Sequence, residues 1–411
     1  MLLKWTKKLS SLPLCVSPEV CADDYMVNAA AISDDGSRVV AGTYYQNYVN
    51  TSRPRLDGRY GVYVFSTAGS GTLLFSHEYD GDKGIYAVAM SGDGTVAAGG
   101  GLLTMGRVSP FKPKRGLLLA FDVATGTKLL ETSDITDRVT SVGLSRNGQV
   151  LVAVADKSLF VFLRGSSGSF SNPPHVVTLV GYCETVAVHP SGTWLAAADQ
   201  QGVVYMIPIT GGVVGTPVTW IANEPLNPVN PLSLMGPVKF HSIAVSRTSD
   251  AFAVGGWNFI YLLTRLSMSG STPGPVARFS SVDAAGGHNV RWVAIADDGS
   301  FVTTVVNDTD HPTHKGLLIK LSPGAGQLTP DFKSPLKNPP NSTSVDSSGT
   351  RLAVADGFPN FTPGAFYLFD NTGAKLDTHV TTDMNWPIQI SADGSGIVGG
   401  SDTNTLSFFT P

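Results

Sequence analysis

The chain has 411 residues and a formal net charge of −4, which gives no basic footprint for a nucleic-acid partner. Its 42% hydrophobic content is enough for a packed core, and no apolar run approaches the length of a membrane span, about 18 residues. Five Glu stand against 27 Asp, a balance that favours turns over helices and points to an all-β chain.

The first segment, LLKWTKKLS (residues 2–10), has the pattern of an outer strand. Lys7 and Lys8 fall where a signal peptide would carry its apolar stretch. Low Lys with many Ser, Thr and Gly leans towards an exported chain, periplasmic or extracellular, without its leader; the compartment is otherwise open. Cys15 and Cys21 are close enough to pair in an oxidising compartment, while Cys183 falls in an apolar strand pattern and reads as core.

From residue 29 onward one unit recurs. An apolar strand ends in a short polar turn, usually with Gly, and a second apolar strand follows: AAAISDDGSRVVAG, AVAMSGDGTVAAGG, SVGLSRNGQVLVAV, TVAVHPSGTWLAAA, SIAVSRTSDAFAVG, WVAIADDGSFVTTV, STSVDSSGTRLAVA and PIQISADGSGIVGG. The turns start at Ser33, Ser91, Ser145, His189, Ser246, Ala296, Asp346 and Ser391, and successive starts lie 44 to 58 residues apart. A third strand rich in β-branched and aromatic residues follows each time (GVYVF, LLLAFD, SLFVFL and their counterparts), then a more polar fourth whose charges protect a free edge. Such a repeat is one four-stranded blade, and the reading is a single β-propeller over 1–411, with eight blades, or seven if a copy is degenerate. The seventh copy is the weakest, with Ser344 and Asp346 in its first strand. The eighth stops one strand short at TLSFFTP, so residues 1–10 are expected to supply its outer strand and close the ring.

AFDVATGTKLL (120–130) and LFDNTGAKL (368–376) are similar to the strand-turn-strand end of WD40-like and quinoprotein-type propeller repeats, with Phe-Asp in place of Trp-Asp. The resemblance covers nearly the whole chain at the level of the repeat, and it implies fold rather than activity. The regular Gly-His start and the Asp-His-Ser-Trp pattern are missing. So are an adjacent Cys-Cys pair and a C-x-x-C-H, which speaks against quinone and haem. AAGGGLL (97–103) reads as a strand inside the second blade, not as a dinucleotide loop.

Function is expected on the face that carries the variable connections between second and third strands, because loops on a rigid scaffold collect binding residues. Long connections fall in blade 1 (46–60), blade 2 (104–114, with the basic FKPKR), blade 6 (307–316) and blade 7 (356–364); blades 3, 4, 5 and 8 turn tightly. A Pro-rich stretch (223–238) joins blades 4 and 5 on the same face. Five residues before each turn start stand Asn28, Tyr86, Thr140, Glu184, His241, Arg291, Asn341 and Trp386, none of them aliphatic. They predict a polar and aromatic ring at the channel mouth, with a charged cluster of Glu184, His241 and Arg291 on consecutive blades.

Three uses of that face follow. The first is a binding scaffold for a protein, peptide or glycan ligand, with Tyr44, Tyr45, Tyr48, Phe111, Phe358 and Phe361 as exposed aromatics. The second is a hydrolase or lyase in which Glu184 or His241 acts as acid or base, Arg291 holds an anionic group, and Tyr86 or Trp386 stacks on the substrate. The third is a transition-metal oxidoreductase with His241, His288, His311 and His314 as ligands, supported by Asp308 and Asp310.

Overall fold

A computed structural model describes residues 1–9, 25–45, 59–80, 84–108, 111–225, 235–281, 289–308, 311–358, 362–382 and 384–411. The recurring Ser-x-Asp-Gly turns form as local chemistry dictates. Ser33 Oγ donates to Asp35 Oδ1 at 2.6 Å, the same oxygen accepts from the Ser37 amide at 3.0 Å, and Gly36 takes a φ of +68°. Ser91–Asp93–Gly94 and Ser391–Asp393–Gly394 repeat the arrangement. The positive φ that a tight hairpin needs is thus supplied by Gly and locked by a side chain. Asp122 and Asp370 of the two Phe-Asp segments do the same at the next turn, accepting from the amides of Thr125 and Thr372.

Each copy builds four antiparallel strands, as in Tyr25–Ile32, Arg38–Tyr45, Arg59–Ser66 and Thr72–Asp80 for the first. The later inner strands are Gly84–Met90, Val139–Leu144, Cys183–Val188, Phe240–Val245, Val290–Ile295, Pro340–Val345 and Asn385–Ile390. Every inner strand packs against the inner strand of the next unit, and the last packs against the first. The described strands make eight such units. In the eighth, the outer strand is Leu2–Lys8, antiparallel to Thr405–Thr410 with Leu2 opposite Thr410 and Lys8 opposite Thr405.

The core lies between blades rather than at one centre. Each apolar cluster draws on two consecutive blades: Val152, Leu159 and Val161 with Val186, Leu195 and Ile207, for example. One cluster joins Val398, Leu406 and Phe408 to Val27, Val39 and Phe65, with Trp5 among them. Close approach of these sheets requires Gly in places; a Cβ on Gly100 would lie 2.4 Å from Val139 Cγ1 of the next blade. AAGGGLL is therefore a packed strand.

One expectation about the connections is corrected. Residues 104–108 and 111–114 are strand and not loop, because Val96–Val108 and Phe111–Asp122 pair as one long hairpin. Two of its basic residues are engaged, with Lys114 Nζ 3.2 Å from Asp137 and Arg115 against Asp134 and the Ser133 carbonyl. The Pro-rich stretch likewise begins and ends as a ribbon, Asn223–Pro225 against Met235–Pro237, anchored by buried Glu224. Blades 3, 4, 5 and 8 turn tightly on Asp156, Gly202, Asn258 and Asn404, all at positive φ. Most of the blade 1 connection, and Cys15 and Cys21, lie outside the described residues.

Candidate functional site at the channel mouth

One local device positions the site. In every inner strand the pairing register slips: Asn28, Tyr86, Thr140, Glu184, His241, Arg291 and Asn341 are each the extra residue of a β-bulge, and Trp386 lies in a two-residue slip with Pro387. A bulge re-aims its side chain out of the sheet's alternation. That is why the aliphatic pattern breaks at these positions and resumes beyond them. All eight line a central channel of about 610 Å³.

The ring divides by what its members do. Asn28 Nδ2 donates to the Tyr86 carbonyl (2.6 Å), Thr140 Oγ1 to the Cys183 carbonyl (3.0 Å) and Asn341 Nδ2 to the Asn385 carbonyl (2.7 Å). These three are buried and staple each blade to the next. The others face the channel. Glu184 accepts from Gln200 Nε2 through Oε1 (2.8 Å) and meets His241 Nδ1 through Oε2 (2.7 Å). Among the described residues Arg291 is not paired with them as the consecutive-blade argument expected; its guanidinium lies 5.8 Å from the ring centroid of Trp386, two blades on.

A second group was not legible from the turn spacing. Arg138 and Tyr182 stand two residues ahead of Thr140 and Glu184, as Lys239 does ahead of His241, so a search two positions upstream of each bulge would have found them. The Arg138 guanidinium lies 4.2 Å from the Tyr86 ring centroid and within 3.5 Å of the Tyr44 and Tyr182 hydroxyls. Burial raises the Tyr86 and Tyr182 hydroxyls above the ordinary tyrosine value, which keeps them protonated. Tyr44, expected to be exposed, is buried edge-on against Tyr86 at 5.2 Å. The side chains of Tyr45, Tyr48, Phe111, Phe358 and Phe361 lie outside the described residues. Lys239 covers Trp257, which is half exposed on the tight turn of blade 5.

The described histidines of this face do not gather at one point. His241 is held by Glu184, whereas His314 Nε2 meets Asp308 Oδ2 at 3.1 Å with the His311 ring against it, 3.6 Å between centroids and tilted by 30°. His288 and Asp310 lie outside the described residues. Among the described residues no group of three or more His, Cys, Asp or Glu side chains is placed to hold a metal ion.

The opposite end of the channel is built from the turns themselves, whose amides donate from blade to blade: Asp34 to Gly92, Arg146 to Pro190, Ser347 to Ala392 and, across the closure, Asp393 to Asp34. Arg146 reaches back over Gly92 to Asp34 at 2.8 Å. This end is a structural belt.

No protein-family model matches the chain, and no curated protein sequence does. Solved structures match well. Sqt1 of Chaetomium thermophilum, bound to the N-terminus of the ribosomal protein L10, is 16% identical with a TM-score of 0.65 over 95% of this chain and 97% of that one. The β-propeller domain of Myceliophteria thermophila Cps50 (Swd1) is 13% identical with a TM-score of 0.55, over 80% of this chain and 97% of its own. A chain of the mitotic checkpoint complex is 15% identical with a TM-score of 0.53, over 80% and 84%. The fold is a WD40-like β-propeller. At such identities the likeness extends to the fold alone, and activity must be argued from the site. Among the described residues no helix is long and apolar enough to cross a membrane.

Proposed function

We propose that this chain is a binding scaffold, one eight-bladed propeller over 1–411 closed by its N-terminal strand, that takes a protein or peptide segment at the mouth of its central channel. The observation that carries the reading is the bulge in each inner strand. It turns Tyr86, Glu184, His241, Arg291 and Trp386 onto one concave rim while the rest of each strand stays in the core. Arg, Trp and Tyr are the residue types that dominate protein interfaces. The peptide bound by Sqt1 shows that a propeller of this shape can take such a ligand.

The test is a displayed peptide library and a glycan array, each screened against the native chain and against Trp386→Ala and His241→Ala. A third variant, Val176→Ser, alters only an exposed outer strand. Peptides should be retained by the native chain and by Val176→Ser, and weakened about tenfold or more by the mouth variants. Retention of glycans alone, or peptides indifferent to the mouth variants, would refute the reading.

One observation favours a second reading. The Glu184 carboxylate accepts from His241 Nδ1–H, and Nε2 makes no hydrogen bond among the described residues, the arrangement of a general base oriented by a carboxylate. A hydrolase or lyase of that kind would turn over members of an ester, glycoside and polyuronate panel. It would lose that turnover in His241→Gln at unchanged melting temperature. No turnover across the panel removes this reading.

A further inference from the structure

Arg138 is a charged group on the rim that has no carboxylate partner among the described residues. Among the described residues no carboxylate oxygen lies within ion-pair distance of its guanidinium; its partners are two phenol oxygens at 3.4 and 3.5 Å and the face of Tyr86. The nearby acids are taken. Glu184 is held by Gln200 and His241, and Asp137 by Lys114 Nζ and the Arg138 amide. A guanidinium carries five donors in a planar fork, and two long contacts to neutral hydroxyls leave most of that capacity unused. Tyr182 accepts from Arg138, so its own proton is left to donate beside the fork.

We propose that Arg138 is the recognition residue for a carboxylate side chain, so that the segment entering the channel mouth is an acidic peptide presenting Asp or Glu between Tyr86 and Tyr182. The proposal rests on the scaffold reading above and names its partner's chemistry. Charge around the rim agrees with it. Of the charged residues that line the mouth, Arg138 and Arg291 stand against Glu184, a local positive excess in a chain whose formal net charge is −4. Steering of an anionic segment to this face follows from that asymmetry. A cationic ligand is disfavoured for the same reason, and because the Arg138 guanidinium already occupies the face of Tyr86.

The probe is an array of end-capped nonapeptides in which each Asp or Glu member has an Asn or Gln counterpart, with free-C-terminus and phosphoserine sets alongside. The native chain should prefer the acidic member by roughly tenfold to a hundredfold, the range for a charge-assisted hydrogen bond. Arg138→Gln should reduce that preference to within about twofold, Arg138→Lys should keep part of it, and Tyr182→Phe should weaken it severalfold without removing any charge. Melting curves check that each variant folds; should Arg138→Gln fail, Arg138→Lys and Tyr182→Phe still decide. Equal binding of acid and amide members, or a preference that survives Arg138→Gln, overturns the inference and leaves the scaffold standing. Arg138-dependent binding confined to the free-C-terminus or phosphoserine sets overturns it too. Retention of no peptide at all by the native chain removes the scaffold reading, and this one with it.

Discussion

Removing the Trp5 side chain tests whether the N-terminal strand holds the molecule together. Trp5 is the one buried side chain of Leu2–Lys8, 6% exposed, and stacks on Phe408 at 5.3 Å and against Phe65 at 5.8 Å. It therefore bridges the last blade and the first. Truncating a buried Trp to Ala costs about 3–5 kcal/mol. Against that, Trp5 Nε1 is buried without a hydrogen-bond partner, a burden of about 1–3 kcal/mol that the variant sheds. The difference of the two midpoints puts the net loss for Trp5→Ala at about 2 kcal/mol in denaturant unfolding, with hydrogen exchange accelerated first in Thr405–Thr410. Leu2 is 61% exposed, so Leu2→Ala in the same strand should stay within about 0.5 kcal/mol. A Trp5→Ala chain as stable as Leu2→Ala, with unchanged exchange in Thr405–Thr410, would refute the closure argument.

Two further outcomes follow from burial. His77, His189 and His379 are each held below the ordinary histidine value, chiefly by desolvation. Neutral rings in the folded state mean that their contribution to stability is complete above about 6.5 and is lost as the pH falls through their depressed values. Melting temperature should therefore drop on acidification below pH 6.5, and the drop should shrink in His189→Ser, which installs the residue most other turns use; an unchanged slope would count against the assignment. Cys183 is fully buried, and its thiol is pushed up to about 12 by desolvation. Its tryptic peptide should stay unlabelled by a maleimide at pH 8 in the native state and label on unfolding. Rapid native labelling would mean that the inner strand of blade 4 opens far more readily than its packing implies.

The repeat was legible because two local codes coincide in each copy: the alternation of the inner strand and the short polar turn that ends it, which is Ser-x-Asp-Gly in three of them. The channel ring was legible for a related reason. A position that is never aliphatic, at constant distance from a turn, marks a side chain that leaves the sheet's alternation, and the structure supplies the cause in the bulge. Ser344 and Asp346, which weaken the seventh copy as a pattern, turn out to serve it. Asp346 Oδ1 accepts from the amides of Thr350 and Arg351, and Ser344 Oγ accepts from the Ile390 amide of the next blade. Contacts that depend on distance across the ring were not legible. Arg291 lies near Trp386, two blades on, and Arg138 draws Tyr44 and Tyr182 from two other blades; no spacing along the chain encodes those meetings. The Asp199–Tyr205 and Asp356–Tyr367 hydrogen bonds, both 2.8 Å, were missed because the two pairs are six and eleven residues apart and share no spacing that would mark them.

The bulge also explains how one ring can be structural and functional at once. A residue expelled from the ladder either finds a partner on the neighbouring blade or projects into the channel. Short amides and hydroxyls do the first: Asn28, Thr140 and Asn341 reach only as far as the next backbone carbonyl, and each is spent there. Long or aromatic side chains overshoot that carbonyl and project into the channel, where they meet one another, as Glu184 meets His241 and Arg291 meets Trp386. Blades 1, 3 and 7 therefore contribute fasteners, and blades 2, 4, 5, 6 and 8 contribute the side chains that face the channel. Blade 3 differs from the other two in carrying a second long side chain two residues upstream. Arg138 gives that blade a place on the rim that Thr140 alone could not.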